Sequence, residues 1–136
     1  MKTIKNMTLI DDDDIFVFLT KKAIESTSLV ELIRVFGNGQ DAINFLQENF
    51  EDVNALPEII LLDLSMPIMD GWQFLDQFTK LAPKIDKKIT IYICSSSISP
   101  NDVELAKKNS LVTDYVIKPI TKEKLIDLLK NIIEAS

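Results

Sequence analysis

In the stretch Glu58-Ile59-Ile60-Leu61-Leu62-Asp63-Leu64-Ser65-Met66-Pro67-Ile68-Met69-Asp70-Gly71, a short apolar run stops at an acid, turns through Met-Pro and reaches an aspartate before glycine. Ile59 to Leu62 lacks polar alternation, which predicts a strand buried on both faces. After Asp70, the residues Gly71, Phe74, Leu75 and Phe78 fall on one face of a helix. A buried strand feeding an amphipathic helix is the repeating unit of a parallel sheet covered on both sides.

The unit recurs in both directions along the chain. Strands are predicted at Met7 to Ile10, Leu29 to Phe36, Glu58 to Leu62, Ile89 to Cys94 and Val112 to Ile117, all rich in Val, Ile and Leu. Ser99-Pro100 opens the helical stretch to Asn109 as a cap followed by a first-turn proline. Thr121, after Pro119, caps a helix with the stripe Leu125, Leu128, Leu129 and Ile132. The predicted fold is α/β: a doubly wound, five-stranded parallel sheet of order 2-1-3-4-5, flavodoxin-like. With only 3 glycines and 5 prolines in 136 residues, there is no visible linker, and a single domain over 1–136 is expected.

Composition narrows the chemistry. A net charge of -6 argues against a direct nucleic-acid surface, which needs clustered Lys and Arg. No signal-peptide core and no long apolar run is present, so secretion and membrane association are not expected. One cysteine, Cys94, cannot form an internal disulfide and reads as a small buried hydrophobe, which fits a cytoplasmic setting. The absence of histidine removes imidazole bases and His metal sites, leaving carboxylates, hydroxyls and lysines.

In an open α/β sheet the ligand site lies beyond the carboxyl ends of the strands, near the point where strand order reverses. The first strand ends in Asp11 and Asp12, the third in Asp63, the fourth in Ser95 and the fifth in Lys118, whereas the second, at the outer edge, runs into Phe36-Gly37-Asn38-Gly39. Three carboxylates in one crevice repel strongly unless a cation or proton intervenes. Mg²⁺ suits such a site, because Zn²⁺ prefers His or Cys ligands. Lys118 offers a point charge for phosphate oxygens, and Ser95 a hydroxyl that can donate to them.

These residues resemble the receiver domains of two-component response regulators, over essentially all of Met7 to Ile133. Leu9-Ile10-Asp11-Asp12-Asp13 is similar to that family's acidic strand end, and Leu61 to Gly71 to its phosphoacceptor loop. Ile93-Cys94-Ser95-Ser96 matches the hydroxyl position, Tyr115 the aromatic switch position, and Lys118-Pro119 the lysine followed by proline. The resemblance implies a phosphoryl-accepting signalling switch rather than a conventional enzyme, with self-catalysed transfer onto Asp63 from a histidine kinase or histidine phosphotransfer protein. It further implies Mg²⁺ held by Asp12 directly, by Asp11 mainly through water, by Asp63 and by the backbone carbonyl of Ser65. In the switch it implies, Ser95 moves toward the phosphoryl group and Tyr115 rotates inward. The output face is then Pro100 to Asn109, the fifth strand and Thr121 to Glu134. With no second domain after Ser136, the expected output is docking on a downstream protein or onward phosphotransfer.

Bland readings stand beside these. Asp13 and Asp14 read as helix N-terminal acids. Tyr115 reads equally as packing, Trp72 as helix-face packing, and the run Ser95-Ser96-Ser97 leaves the choice of hydroxyl open, strand alignment favouring Ser95. Ser65 and Ser97, the positions the family uses to tune phosphoryl lifetime, carry no side chain that obviously orients water, so slow self-hydrolysis is expected. A receiver-fold module that binds partners without phosphorylation is the main alternative. A haloacid-dehalogenase-type hydrolase would need an acid at Ser65, and an FMN flavodoxin would need a phosphate loop where four aspartates stand.

Overall fold

The computed structural model describes residues 3–135. Its elements, in chain order, are β1 (Ile4–Ile10), α1 (Asp14–Thr27), β2 (Val30–Phe36), α2 (Gly39–Asn49), β3 (Ile59–Leu62), α3 (Gly71–Leu81), a 3₁₀ turn (Ala82–Lys84), β4 (Thr90–Ser95), α4 (Pro100–Lys108), β5 (Val112–Ile117) and α5 (Lys122–Glu134). The five strands are all parallel, in the order β2-β1-β3-β4-β5, as the sequence predicts.

Alternation of side chains across the pleat divides the core into two layers. Ile60 and Leu62 of β3 and Ile91 and Ile93 of β4 face α2 and α3, against Ile43, Leu46, Phe74 and Phe78. Ile59, Leu61, Tyr92 and Cys94 face the other way, against Ile24 of α1 and Leu125, Leu128 and Leu129 of α5. Gly71, Phe74, Leu75 and Phe78 are all buried on α3. Phe74 and Phe78 stack with centroids 5.9 Å apart.

The helix starts follow local chemistry. Asp13 caps α1, its carboxylate accepting from the amides of Ile15 and Phe16 at 3.1 Å. Asp70 and Gln73 form a reciprocal capping box at the start of α3. Ser99 and Thr121 cap α4 and α5.

Beyond one-residue shifts at the ends of β2, β3 and β4, two features differ from the sequence reading. β1 begins at Ile4 rather than Met7, pairing with Val30, because the polar Asn6 is satisfied inside the strand by donating to the carbonyls of Asn54 at 2.6 Å and Leu56 at 3.4 Å. β2, expected to be buried like the others, exposes Leu32 and Val35, because an edge strand has a neighbour on one side only.

Candidate functional site

Register brings the reactive residues level. Ile10 pairs with Leu62 and Leu62 with Ile93, so the residues that follow β1 and β3 leave the sheet at the same height. Backbone bonds hold them there: the Asp63 amide donates to Ile10 O and the Lys118 amide to Ser95 O, both at 2.9 Å. Asp11, whose amide donates to Phe36 O, Asp63 and Lys118 are therefore each anchored to a neighbouring strand end.

Asp11, Asp12 and Asp63 each present a carboxylate oxygen within 4.8 Å of the other two. Asp11 and Asp63 are buried and Asp12 is exposed. Lys118 reaches between the buried pair, its Nζ 2.9 Å from Asp11 Oδ2 and 3.6 Å from Asp63 Oδ1. The amide of Asp13 also donates to Asp11 Oδ1 at 2.9 Å. Asp11 is thus the better-paired carboxylate.

The electrostatics follow from burial and charge count. Asp63 is pushed up from 3.8 to about 6, first by burial and then by the neighbouring Asp11 charge, against the pull of Lys118. Burial also raises Asp11, partly offset by the hydrogen bonds from Lys118 and Asp13. Lys118 is held above its ordinary value: burial works against its charge, but the Asp11 hydrogen bond and the Asp11 and Asp63 charges outweigh it. Burial pushes the Cys94 thiol up to about 12, so it remains protonated and hydrophobic. Three carboxylates against one ammonium leave excess negative charge, and the donors on offer are all oxygens. That set fits a hard divalent cation such as Mg²⁺.

Ser95 is buried, and its Oγ accepts the Ser97 amide at 3.1 Å. Ser65 is exposed beside it on the wall of a shared crevice of about 370 Å³ that also includes Leu64, Met66, Trp72 and Asp102. Tyr115 is half-buried against the α2/α3 core layer, and its hydroxyl donates to Ser97 O at 2.8 Å.

Two participants escaped the sequence reading. The Phe16 ring lies 4.3 Å from Lys118 Nζ, close enough for a cation–π contact that steadies the ammonium. Asp102 accepts from Ser97 Oγ at 2.6 Å and from the Trp72 indole at 3.3 Å. Phe16 sits one turn into the helix behind the acidic pair, a place that could have flagged it. Asp102 reads in sequence only as a first-turn acid.

The loop joining β3 to α3 is shaped by two residues. Ile68, 78% exposed, holds a left-handed φ of 69°, uncommon for a β-branched side chain. A Cβ on Gly71 would lie 2.5 Å from the carbonyl oxygen of Asp63 and 2.9 Å from Leu64 Cα, so only glycine lets α3 start this close to the acid. Gly71→Ala should force that backbone apart, costing about 1–3 kcal/mol and lowering the melting temperature by roughly 3–10 °C. An unchanged thermal melt would show that the loop yields freely.

Comparison with known proteins agrees with this geometry. Residues 7–130 match the model of the response regulator receiver domain. A crystal structure of a two-component response regulator from Cytophaga hutchinsonii superposes with a TM-score of 0.86 at 35% identity, covering 97% of this chain and 98% of that one. The chemotaxis protein CheY of Listeria monocytogenes is 28% identical over 123 residues, 90% of this chain and 94% of its own length. A probable methanogenesis regulatory protein, FilR2, of Methanothrix harundinacea is 29% identical over 126 residues, 93% of this chain and 79% of its own. With the strand order, the acidic cluster and the level strand ends in agreement with these matches, the chain belongs to the response regulator receiver domain family.

Proposed function

We propose that the chain is a phosphoryl-accepting switch of a two-component phosphorelay, with Asp63 as the acceptor. The observation that carries this reading is Lys118 Nζ set between the Asp11 and Asp63 carboxylates, 2.9 and 3.6 Å away, in a cluster of three acids. In the step proposed, an Asp63 oxygen attacks the phosphorus of a phosphohistidine. The N–P bond breaks, the donor imidazole leaves and takes up a proton, and Asp63 carries a mixed anhydride. With its carboxyl titrating at about 6, Asp63 is largely ionised above pH 7 and ready to attack.

Positioning and charge neutralisation supply the catalysis, and no general base is required. Lys118 neutralises phosphoryl oxygens as they enter the crevice, steadied by the Phe16 ring, and the Ser95 hydroxyl donates to one of them. Asp12, Asp11, Asp63 and the backbone carbonyl of Ser65 are the residues proposed to hold Mg²⁺, which when bound supplies positive charge to the transferring group.

The donor is proposed to be a histidine kinase or histidine phosphotransfer protein, and the output a protein partner met in the cytoplasm by a single receiver domain over 1–136. The docking face is proposed to be α4, β5 and α5, and an open groove of about 440 Å³ between α4 and β5, lined in part by Val103, Ala106, Val112 and Tyr115, supports the first two of these. Among the described residues, no helix is long and apolar enough to cross a membrane.

The test is acetyl phosphate with Mg²⁺. The protein should gain one phosphoryl group by intact mass, and borohydride reduction should map it to Asp63. Label elsewhere, or label indifferent to EDTA, would overturn the assignment. No label at all would favour a receiver-fold module that binds partners without phosphorylation.

A further inference from the structure

Ser97 uses every polar group it has. Its amide donates to Ser95 Oγ at 3.1 Å, its carbonyl accepts the Tyr115 hydroxyl at 2.8 Å, its hydroxyl donates to Asp102 Oδ2 at 2.6 Å, and that same hydroxyl accepts the Ser99 amide at 3.2 Å. Of these contacts, only the one to Asp102 is charge-assisted, and 2.6 Å is the short distance expected of a hydroxyl on an ionised carboxylate. Asp102 is also held from a second direction: its other oxygen accepts the indole N–H of Trp72, 30 residues away on α3, at 3.3 Å. Both Ser97 and Asp102 are half-buried on the wall of the crevice that Ser65 and Ser95 share.

We propose that Asp102 is a positioning residue for the phosphoryl-accepting site, a clasp that ties the loop after β4 to α3 and thereby fixes the Ser95 hydroxyl and the Tyr115 ring together. Asp102 touches neither of them. It acts through Ser97, whose amide and carbonyl flank one Cα, so that a displacement of Ser97 disturbs the Ser95 and the Tyr115 contact together. Without the carboxylate, the Ser97 hydroxyl loses its strongest partner, and the loop keeps only the Tyr115 hydroxyl on Ser97 O and the Lys118 amide on Ser95 O to hold it from outside, which leaves it freer to shift. Ser95 would then have to be ordered at each transfer. Trp72 gives the clasp a fixed anchor, because α3 is held by the buried Phe74, Leu75 and Phe78 and does not follow the loop.

This inference rests on the phosphoryl-acceptor reading for its rate effect but not for its geometry, and the two are separable. Four proteins are compared: wild type, Asp102→Ala, Ser97→Ala and the double variant, each checked for folding by circular dichroism. Asp102→Asn replaces Asp102→Ala if that variant does not fold. In the unloaded proteins, the Tyr115 ring resonances should move in Asp102→Ala, although Asp102 does not touch Tyr115, and should move no further in the double variant. Loading by acetyl phosphate and Mg²⁺ should slow about fivefold in each single variant, the order of one hydrogen bond. The double variant should also be slowed only about fivefold rather than the roughly 25-fold of independent contributions. Glu104→Ala, on the exposed face of the same helix, controls for a simple change of charge and should load at the wild-type rate. Unmoved Tyr115 resonances in Asp102→Ala, or rates that multiply in the double variant, would overturn the clasp. A wild type that takes no phosphoryl group would instead overturn the acceptor reading, while the Tyr115 shifts would still decide the clasp.

Discussion

Asp63→Asn is expected to do two opposite things: abolish phosphoryl loading, by at least ~100-fold, and raise the melting temperature of the metal-free protein at pH 8. Loss of loading follows because a carboxamide oxygen is a far weaker nucleophile than a carboxylate. The gain in stability follows from linkage. A carboxyl that titrates at about 6 when folded and near 3.8 when unfolded binds its proton more tightly in the folded state. The charged form therefore costs stability above pH 6, and the cost fades as pH falls toward 3.8. Its full size is about 3 kcal/mol. Asparagine removes the charge at nearly constant volume but turns an amide toward Lys118, so a net gain of about 1–3 kcal/mol is expected, or roughly 3–10 °C. Thermal melts in EDTA should show the difference at pH 8 and little of it at pH 4. Equal melting temperatures at pH 8 would mean that Asp63 is not electrostatically strained. Loading that survives the substitution would move the acceptor elsewhere.

Lys118→Met should be the more damaging change in the same metal-free state. Lys118 is 13% exposed at its side chain and pairs with Asp11, 3% exposed, at 2.9 Å. Removing one partner of such a pair leaves the other charge buried without compensation, which costs about 3–5 kcal/mol. For a chain of this length the melting temperature should fall by roughly 10–15 °C at pH 8. The raised Lys118 titration means that its contribution is fully present at every pH below its ordinary value and is lost only in strong alkali. The pH dependence of the defect is therefore set by the acids: without the pull of Lys118, Asp63 is pushed up further than in the wild type, so it protonates and the defect should shrink as pH falls from 8. Asp63→Asn combined with Lys118→Met should recover part of the loss, because one unpaired carboxylate is gone. A double variant no more stable than Lys118→Met alone would show that the ammonium serves Asp11 only. Mg²⁺ should also rescue Lys118→Met more than wild type by mass action on the folded state.

Much of the fold is legible along the chain because it is written in local period. Ile59 to Leu62 has no polar interruption, and the stripe of Phe74, Leu75 and Phe78 repeats at helical spacing, so strand and helix can be told apart without any tertiary information. Asp13, Asp70, Ser99 and Thr121 mark helix starts because capping involves residues only two or three apart. The candidate site was readable for a related reason. In a parallel sheet every strand delivers its C-terminal neighbour to the same edge, so the residue type after each apolar run is a direct reading of what the crevice contains. β1 escaped at its start because Lys5 and Asn6 break the apolar run, and only the carbonyls of Asn54 and Leu56, about 50 residues on, show how the polar side chain is satisfied.

The sequence by itself determined the alternation of strand and helix, their order in the sheet and the set of charged groups at its edge. Distances were left to the tertiary structure: that Lys118 sits nearer Asp11 than Asp63, that Phe16 lies against its ammonium, and that Gly71 approaches the Asp63 carbonyl too closely for any Cβ. The Trp72–Asp102–Ser97 clasp belongs to the same class, as does the position of the Tyr115 ring over Ser97. Periodicity specifies which face of an element is buried, but a contact between residues far apart in sequence depends on how two packed faces settle against each other. That settling is decided by close packing of the whole core, where a shift of one ångström makes or breaks a hydrogen bond.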